Sequence, residues 1–201
     1  MDIFLSNFKN INVRAERVGD FFKHSLTPEL LRSNPSKIYL EIGCGHGHWL
    51  CSFAQETDDV LFVGIDLITK RIEKANSKKI KRELNNIFFL KADAMEFLSL
   101  MPDSVKFSSC FLMYPDPWPK KRHHKRRIIQ PEFLNLLADK SNEDCKLYFK
   151  TDHTEYFDWT LQTIKNSQHW NIQNYNWPFE SDSYFQQLLP NHQFCSASKL
   201  D

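Results

Sequence analysis

An acidic turn rich in proline runs directly into a dense block of positive charge. The stretch reads Tyr114-Pro-Asp-Pro-Trp-Pro-Lys-Lys-Arg-His-His-Lys-Arg-Arg127. Its prolines restrict φ and push the residues before them out of the right-handed helical region, which predicts a stiff extended segment. Asp116 and Trp118 would then be held in fixed directions beside the cations. Such a carboxylate can orient a ligand, and such an indole ring can stack on a base or cofactor, or pack as a lid over the turn.

The block from residue 120 to residue 127 holds six Lys or Arg, two His and no acid. Charges of one sign at this density repel one another unless an anion neutralises them. The whole chain has a net charge of only +1, so positive charge is concentrated here. We interpret the block as a surface for nucleic acid, against the alternative of a solvated loop. A second group of cations lies on a predicted helix, as a solvated face or a further part of that surface: Lys70, Arg71, Lys74, Lys78, Lys79, Lys81 and Arg82.

Three of the five glycines lie in one short motif, Glu41-Ile-Gly-Cys-Gly-His-Gly47. The motif follows a predicted strand and opens a predicted helix, so its backbone and the helix N-terminus can approach a ligand closely. Its spacing differs from the G-x-G-x-x-G of dinucleotide sites, and the carboxylate of Glu41 is poorly placed beside a pyrophosphate. The motif therefore favours a ligand with positive charge, and a tight turn without any ligand is the alternative.

Two further acids end predicted strands. Asp66 follows the second strand, where a carboxylate can accept two hydrogen bonds from a ribose diol, and Asp93 follows the third, where it can orient an adenine edge. Each of them can instead cap the helix that comes next. Because open α/β sheets bind ligands at the carboxyl ends of their strands, we expect Glu41, Asp66 and Asp93 to converge on one crevice.

Short apolar runs alternate with longer amphipathic stretches, a pattern typical of an α/β fold with a mostly parallel sheet. We predict strands at 37–42, 60–65, 87–91, 105–113 and 145–150, and closing strands at 170–175 and 193–196. Helices are predicted at 48–56, 69–84 with Thr69 as N-cap, 94–100, 131–138 and 155–165. A single domain is expected, with a short N-terminal segment over 1–36, a ligand-binding core over 37–168 and substrate-side elements over 169–201.

Several other classes of protein are excluded by composition. The five cysteines contain no C-x-x-C pair and are expected to be reduced and buried. No apolar run has the length of a membrane span and no signal peptide is recognisable, so we expect a cytosolic protein without a membrane partner. Cys44, His46 and His48 match no common zinc spacing, and we expect no metal.

Taken together, these residues resemble those of a known family. Glu41-x-Gly-x-Gly-x-Gly47, Asp66 and Asp93 resemble the cofactor site of class I S-adenosylmethionine-dependent methyltransferases. The acidic and basic run, with Thr151-Asp152 after the fifth strand, is similar to the tRNA (guanine-N7-)-methyltransferases. The resemblance spans residues 39–157. It implies a Rossmann-like class I fold with helices on both faces of the sheet, S-adenosyl-L-methionine as cofactor and tRNA as partner.

The resemblance also implies roles for single residues. Cofactor contacts fall to Glu41, Gly43, Gly45, Asp66, Asp93, Ala94 and Asp116. Substrate contacts fall to Lys120 and Asp152, and to Ser183 and Gln186, which stand where the family has a Thr-x-x-Glu element. RNA contacts fall to Arg122, His123, His124, Lys125, Arg126 and Arg127. We expect a monomer or a homodimer.

The implied reaction is methyl transfer to N7 of a guanosine in the variable loop of tRNA. N7 carries a lone pair and no proton, so the transfer needs no general base, and positioning with electrostatic stabilisation dominates. Asp116 is the catalytic candidate, holding either the methionine amino group or the N1 and N2 donors of guanine. The alternatives are a related methyltransferase for another nitrogen and a non-catalytic RNA-binding protein with this fold.

Overall fold

A computed structural model describes residues 2–27, 30–31, 37–180 and 192–200, and from residue 12 onward it also describes their side chains. Its helices are α1 (Asp2–His24), α2 (His48–Gln55), α3 (Thr69–Lys81), α4 (Ala94–Leu100), α5 (Pro131–Asp139) and α6 (Thr154–Lys165), with a 3₁₀ helix at Lys121–Arg126. Its strands are β1 (Lys37–Ile42), β2 (Val60–Asp66), β3 (Ile87–Lys91), β4 (Phe107–Met113), β5 (Ser141–Thr151), β6 (Trp170–Gln173) and β7 (Gln193–Lys199).

The seven strands form one sheet in the order β3-β2-β1-β4-β5-β7-β6. Strands β1 to β5 are parallel to one another, whereas β7 runs antiparallel to both β5 and β6. The predicted α/β architecture with a mostly parallel sheet is thus confirmed. The chain moves outward from β1 in one direction to reach β3, and then in the other direction from β4 onward. Such a reversal opens a crevice beyond the carboxyl ends of β1 and β4.

Apolar layers cover both faces of the sheet. The larger layer contains residues of α1, α4, α5 and α6, with Phe97 and Leu134 fully buried, and the smaller contains residues of α2 and α3, with Trp49 buried. Alternate residues of β2 belong to the two layers, because successive side chains of a strand point to opposite faces. Every residue of β2 is buried, as expected for a parallel strand covered on both sides. Within the described residues, no helix is long and apolar enough to cross a membrane.

The N-terminal segment contains a long helix that the sequence analysis did not predict. Residues 2–24 form one long helix, and its Val18, Phe21 and Phe22 are buried in the larger apolar layer. Arg14 pairs with Glu96 on α4 at 2.8 Å. The apolar spacing of i, i+3 and i+4 is a helical signal that was available in the sequence.

Most predicted elements are confirmed, with differences at their ends. The prediction of Thr69 as an N-cap is wrong: Ile68 occupies that position, and the Thr69 hydroxyl accepts a hydrogen bond from Lys91 Nζ at 2.8 Å. Strand β5 begins at Ser141 and not at residue 145, because its first residues pair with Phe107 of β4. The helix predicted to end at residue 84 ends at Lys81.

The glycine turn allows a matched test of packing. A Cβ at Gly47 would lie 2.6 Å from the Phe89 ring and 2.9 Å from Ala75 Cβ, whereas one at Gly45 would meet no atom within 4 Å. Both residues have positive φ, so Gly47→Ala and Gly45→Ala share a backbone strain of about 1–2 kcal/mol. We expect Gly47→Ala to lose roughly a further 1–3 kcal/mol of unfolding free energy in urea, because overpacking adds to that strain. Equal losses in the two variants would contradict this account.

Candidate functional site

Loops from five parallel strands meet at the carboxyl edge of the sheet. The glycine turn follows β1, and its Gly43 and Cys44 amides donate to Ile65 O of β2 at 2.8 and 3.0 Å. Asp66 ends β2 and Asp93 follows β3, while the loops after β4 and β5 carry the acidic turn and Asp152. The acids therefore lie at one edge of the sheet, and their convergence on one crevice stays a prediction.

Glu41 is a buried acid at the base of this edge. Glu41 is the fifth residue of β1 and is 4% exposed. Burial, and then the charge of Asp66, raise the pKa of Glu41 to about 8. Its Oε2 atom is buried and has no hydrogen-bond partner among the described residues. A buried oxygen without a donor is costly, so the geometry suits a cationic or hydrogen-bond-donating ligand group.

Asp66 links the glycine turn after β1 to the loop after β2 through hydrogen bonds to their backbone amides. Its Oδ2 accepts from the Gly45 amide at 3.1 Å and its Oδ1 from the Ile68 amide at 2.8 Å. Arg71 Nη1 lies 3.3 Å from Oδ2. Each carboxylate oxygen has two lone pairs, and the two amides and Arg71 occupy three of these four, so one lone pair on Oδ1 remains for a ligand donor.

Asp93 caps helix α4, as one of the two interpretations predicted. Its Oδ1 accepts from the amides of Met95 and Glu96 at 2.9 and 3.1 Å. Capping of α4 therefore uses one oxygen of the carboxylate. A contact between Asp93 and a ligand remains a prediction, and so does the contact predicted for the buried Ala94.

Three large apolar side chains beside these acids were not singled out from the sequence. Leu67 is 63% exposed, Ile68 46% and Met95 38%, and they lie one or two residues after Asp66 and Asp93. Exposed apolar groups beside a few polar groups are typical of ligand-binding sites. The signal in the sequence was an apolar pair placed after Asp66, where a solvent-exposed loop usually carries polar residues.

The acidic turn is folded more tightly than an extended segment. Tyr114 and Trp118 have φ values of 50° and 45°, in the left-handed region, so the extended conformation predicted for Trp118 is wrong. The Tyr114 amide donates to Lys150 O at 2.8 Å. The ring of Trp118 lies 4.9 Å from the Arg126 guanidinium. These contacts sustain the strained backbone and leave Asp116 exposed to solvent.

The basic block forms the exposed 3₁₀ helix Lys121–Arg126. Arg122, Lys125 and Arg126 are exposed, and His123 is half-buried. His124 is turned inward, with Nε2 3.3 Å from Glu155 Oε1.

Arg127 does not share the exposure of its neighbours. It is 1% exposed, and its Nε donates to Pro117 O at 2.8 Å. The predicted contact between Arg127 and RNA is therefore wrong, because a buried guanidinium cannot reach a phosphate on the surface.

The predicted substrate residues are only partly within the described structure. Lys120 and Asp152 are exposed at the ends of the turn and of β5. Ser183 and Gln186 lie outside the described residues. The sequence analysis missed Lys150, which is 1% exposed and whose Nζ lies 4.1 Å from the Trp177 ring and 3.7 Å from Glu180 Oε1. Burial lowers its pKa.

The second group of cations lies on α3 and its C-cap residue Arg82, and it contacts the glycine turn. Lys78 Nζ donates to His46 O at 2.8 Å. Burial, followed by the charges of Lys74 and Lys78, lowers the pKa of His46.

The other titratable groups offer little for metal binding. All five cysteines are free and buried, as predicted. No group of three or more His, Cys, Asp or Glu is arranged to hold a metal ion in the part of the chain that the structure describes.

Comparisons with known proteins agree with this geometry. Residues 35–189 match the profile of the Methyltransf_4 family of methyltransferases. The tRNA (guanine-N(7)-)-methyltransferase of Prochlorococcus marinus (strain MIT 9215) is 32% identical over 142 residues, which cover 69% of this chain and 68% of that protein. The enzyme of the same name from Mycoplasmopsis pulmonis is 33% identical over 163 residues, covering 81% and 77%.

Solved structures share the fold at low sequence identity. The 16S rRNA methyltransferase KamB has a TM-score of 0.64 at 18% identity, covering 86% of this chain and 92% of that one. A methyltransferase from Streptococcus mutans in complex with SAH has a TM-score of 0.57 at 12% identity, covering 83% and 90%. At this level of identity the likeness concerns the fold alone.

Glu41 should make stability depend on pH. Its pKa of about 8 in the folded chain exceeds the ordinary value of 4.5, so the folded state binds more protons between these two values. The unfolding free energy should therefore fall as pH rises from about 4.5 to about 8, with a slope contribution of up to ~1.4 kcal/mol per pH unit. Urea titrations across this range should show a smaller fall in Glu41→Gln. The same exchange at the exposed Glu73 is the control, and identical profiles for wild type and Glu41→Gln would refute the assignment.

Proposed function

This chain belongs to the tRNA (guanine-N(7)-)-methyltransferase family, and from that premise we propose that it methylates N7 of a guanosine in the variable loop of tRNA, with S-adenosyl-L-methionine as methyl donor. The observation that carries the proposal is the position of the acidic turn. It follows β4 at the edge of the sheet where Glu41 and Asp66 lie and leads directly into an exposed cationic helix, so one segment borders both acids that suit a cation and a surface that suits a polyanion.

The residues of the crevice fit the parts of the proposed cofactor. Glu41 would face a positively charged group, and a bound cation would favour its ionised form. Asp66 would accept from one ribose hydroxyl with its remaining lone pair, and from the other hydroxyl in place of the half-exposed Arg71. Leu67, Ile68 and Met95 would flank the adenine ring. Asp93 and Ala94 would lie at the edge of that ring.

S-adenosyl-L-methionine would supply a methyl group on a positively charged sulfur. The N7 lone pair of guanine would form the new bond to carbon as the carbon–sulfur bond breaks, so positive charge would move from sulfur to the guanine ring. Asp116 on the turn and Asp152 after β5 would face the positive charge that develops on the guanine ring. Neither needs to accept a proton, because N7 has none. Their contribution would be alignment and stabilisation of charge.

Docking of the tRNA would use the exposed 3₁₀ helix. Arg122, Lys125 and Arg126 would contact phosphates, and His123 would lie beside them. Lys120 would contact the substrate at the end of the acidic turn, and we retain Ser183 and Gln186 as proposed substrate contacts. We also propose that the protein acts in the cytosol, without a metal, as a monomer or homodimer.

Methyl transfer can be tested directly on nucleosides. Purified protein is incubated with unmodified tRNA and S-adenosyl-L-methionine, and the digested tRNA is examined by mass spectrometry for 7-methylguanosine. We expect this product from the wild type and a loss of about 100-fold in turnover from Asp116→Ala, because alignment is lost. Asp139→Ala removes another exposed acid and should keep wild-type turnover. Methylation at another nitrogen, or none with the wild type, would overturn the proposal.

Phosphate contacts should appear in the salt dependence of tRNA affinity. Each cation on a phosphate adds roughly 0.7 to 0.9 to the slope of log affinity against log salt. Replacing Arg122, Lys125 and Arg126 with Ala should therefore flatten the slope by about 2 to 3. The matched variant replaces Lys70, Lys74 and Lys81 on α3, with the same change of charge. If only the α3 variant flattens the slope, the tRNA docks on α3 instead.

A further inference from the structure

Two adjacent arginines of the basic block point in opposite directions. Arg126 is exposed and lies over the ring of Trp118, on the outside of the turn. Arg127 is buried, and its guanidinium carbon lies 5.0 Å from the Tyr156 ring and 5.3 Å from the Trp159 ring, both on α6. The two residues therefore contact different parts of the molecule.

The guanidinium of Arg127 links the acidic turn to helix α6. Its Nε donates to the carbonyl oxygen of Pro117 at 2.8 Å, and Pro117 directly follows Asp116 in the chain. Its Nη2 lies 3.4 Å from Glu155 Oε1 and 3.1 Å from His124 Nε2. One planar group thus fixes the backbone beside the proposed catalytic carboxylate.

Helix α6 is itself a firm support for this link. The Trp159 indole donates to Ile129 O at 2.9 Å, and the Tyr156 hydroxyl accepts from the Ile129 amide at 3.3 Å. Tyr156 is fully buried. The guanidinium of Arg127 therefore packs against two rings that are themselves fixed. Its hydrogen bond to Pro117 O restrains the backbone of the turn.

Burying this cation carries a solvation cost. Its Nη1 is buried without a hydrogen-bond partner among the described residues. An apolar side chain of similar volume would fill the space without that cost. The directed bond to Pro117 is what an apolar side chain could not supply, and Lys has no planar fork that reaches Pro117 and Glu155 together.

Resting on the proposed function, we infer that Arg127 is a positioning residue for methyl transfer: it holds the Pro117 carbonyl, and through it Asp116, in the orientation that aligns the reactants. Its charge does not serve RNA binding. The basic block accordingly divides into an outer set that docks the polyanion and one inner arginine that orders the turn.

The test compares Arg127→Lys, Glu155→Gln and Arg126→Ala in single-turnover and binding assays with tRNA and S-adenosyl-L-methionine. Arg127→Lys keeps the charge, so we expect the methyl-transfer rate at saturating tRNA to fall about 10- to 100-fold, while tRNA affinity and its salt slope stay unchanged. Glu155 is 54% exposed in its side chain, so Glu155→Gln should fold normally and show a smaller loss in the same rate. Arg126→Ala should do the opposite, weakening tRNA binding and lowering the salt slope by about 0.7 to 0.9.

The outcomes separate the two proposals. A wild type that methylates no tRNA would defeat the proposed function itself. An active wild type with a normal rate in both Arg127→Lys and Glu155→Gln would overturn the positioning role. A flatter salt slope with an unchanged rate in Arg127→Lys would assign Arg127 to RNA binding instead. If Arg127→Lys does not fold, as circular dichroism would show, the rate of Glu155→Gln decides.

Discussion

The structure depends on the parallel pairing of β1 with strands on both of its sides. Glu41 is aligned with Gly64 of β2 and Phe111 of β4, so its backbone lies in an inner strand of the sheet. Its carboxyl group is therefore largely removed from water. That placement explains its raised pKa and its unpaired oxygen. The same pairing brings the loops after β1 and β4 to one edge. Charge recognition and the order of the strands therefore have one common cause.

The acids at this edge and the cations of the 3₁₀ helix lie on different sides of the acidic turn. Asp66 accepts from backbone amides and pairs with Arg71 of α3, whereas the exposed cations of the 3₁₀ helix lie beyond Trp118 and do not neutralise it. A positively charged small molecule and a polyanion can thus approach from different sides. For a reaction that transfers positive charge and no proton, this separation is more useful than a titrating base.

The sequence predicted the elements better than it predicted the directions of side chains. The bounds of β1 and β3 were predicted correctly, because buried parallel strands are continuous apolar runs that end at polar turns. Arg127 was assigned to the surface because composition reports how many charges a segment has, and not where they point. In a 3₁₀ geometry residues three apart lie on one side, which places Arg127 with the inward-facing His124. The left-handed Trp118 was also beyond prediction, since proline disfavours one region of φ and ψ and long-range contacts choose among the others.

Strand β7 lies inside the sheet, between β5 and β6, although it is the last strand in the described part of the chain. During synthesis on the ribosome, the backbone groups of β5 that pair with β7 would therefore stay unpaired until residues 193–199 have emerged. Exposed strand edges invite pairing with other chains. The parallel part of the sheet can assemble early. A nascent chain that pauses before β7 would be an aggregation-prone intermediate, and chaperone binding at that stage would protect it.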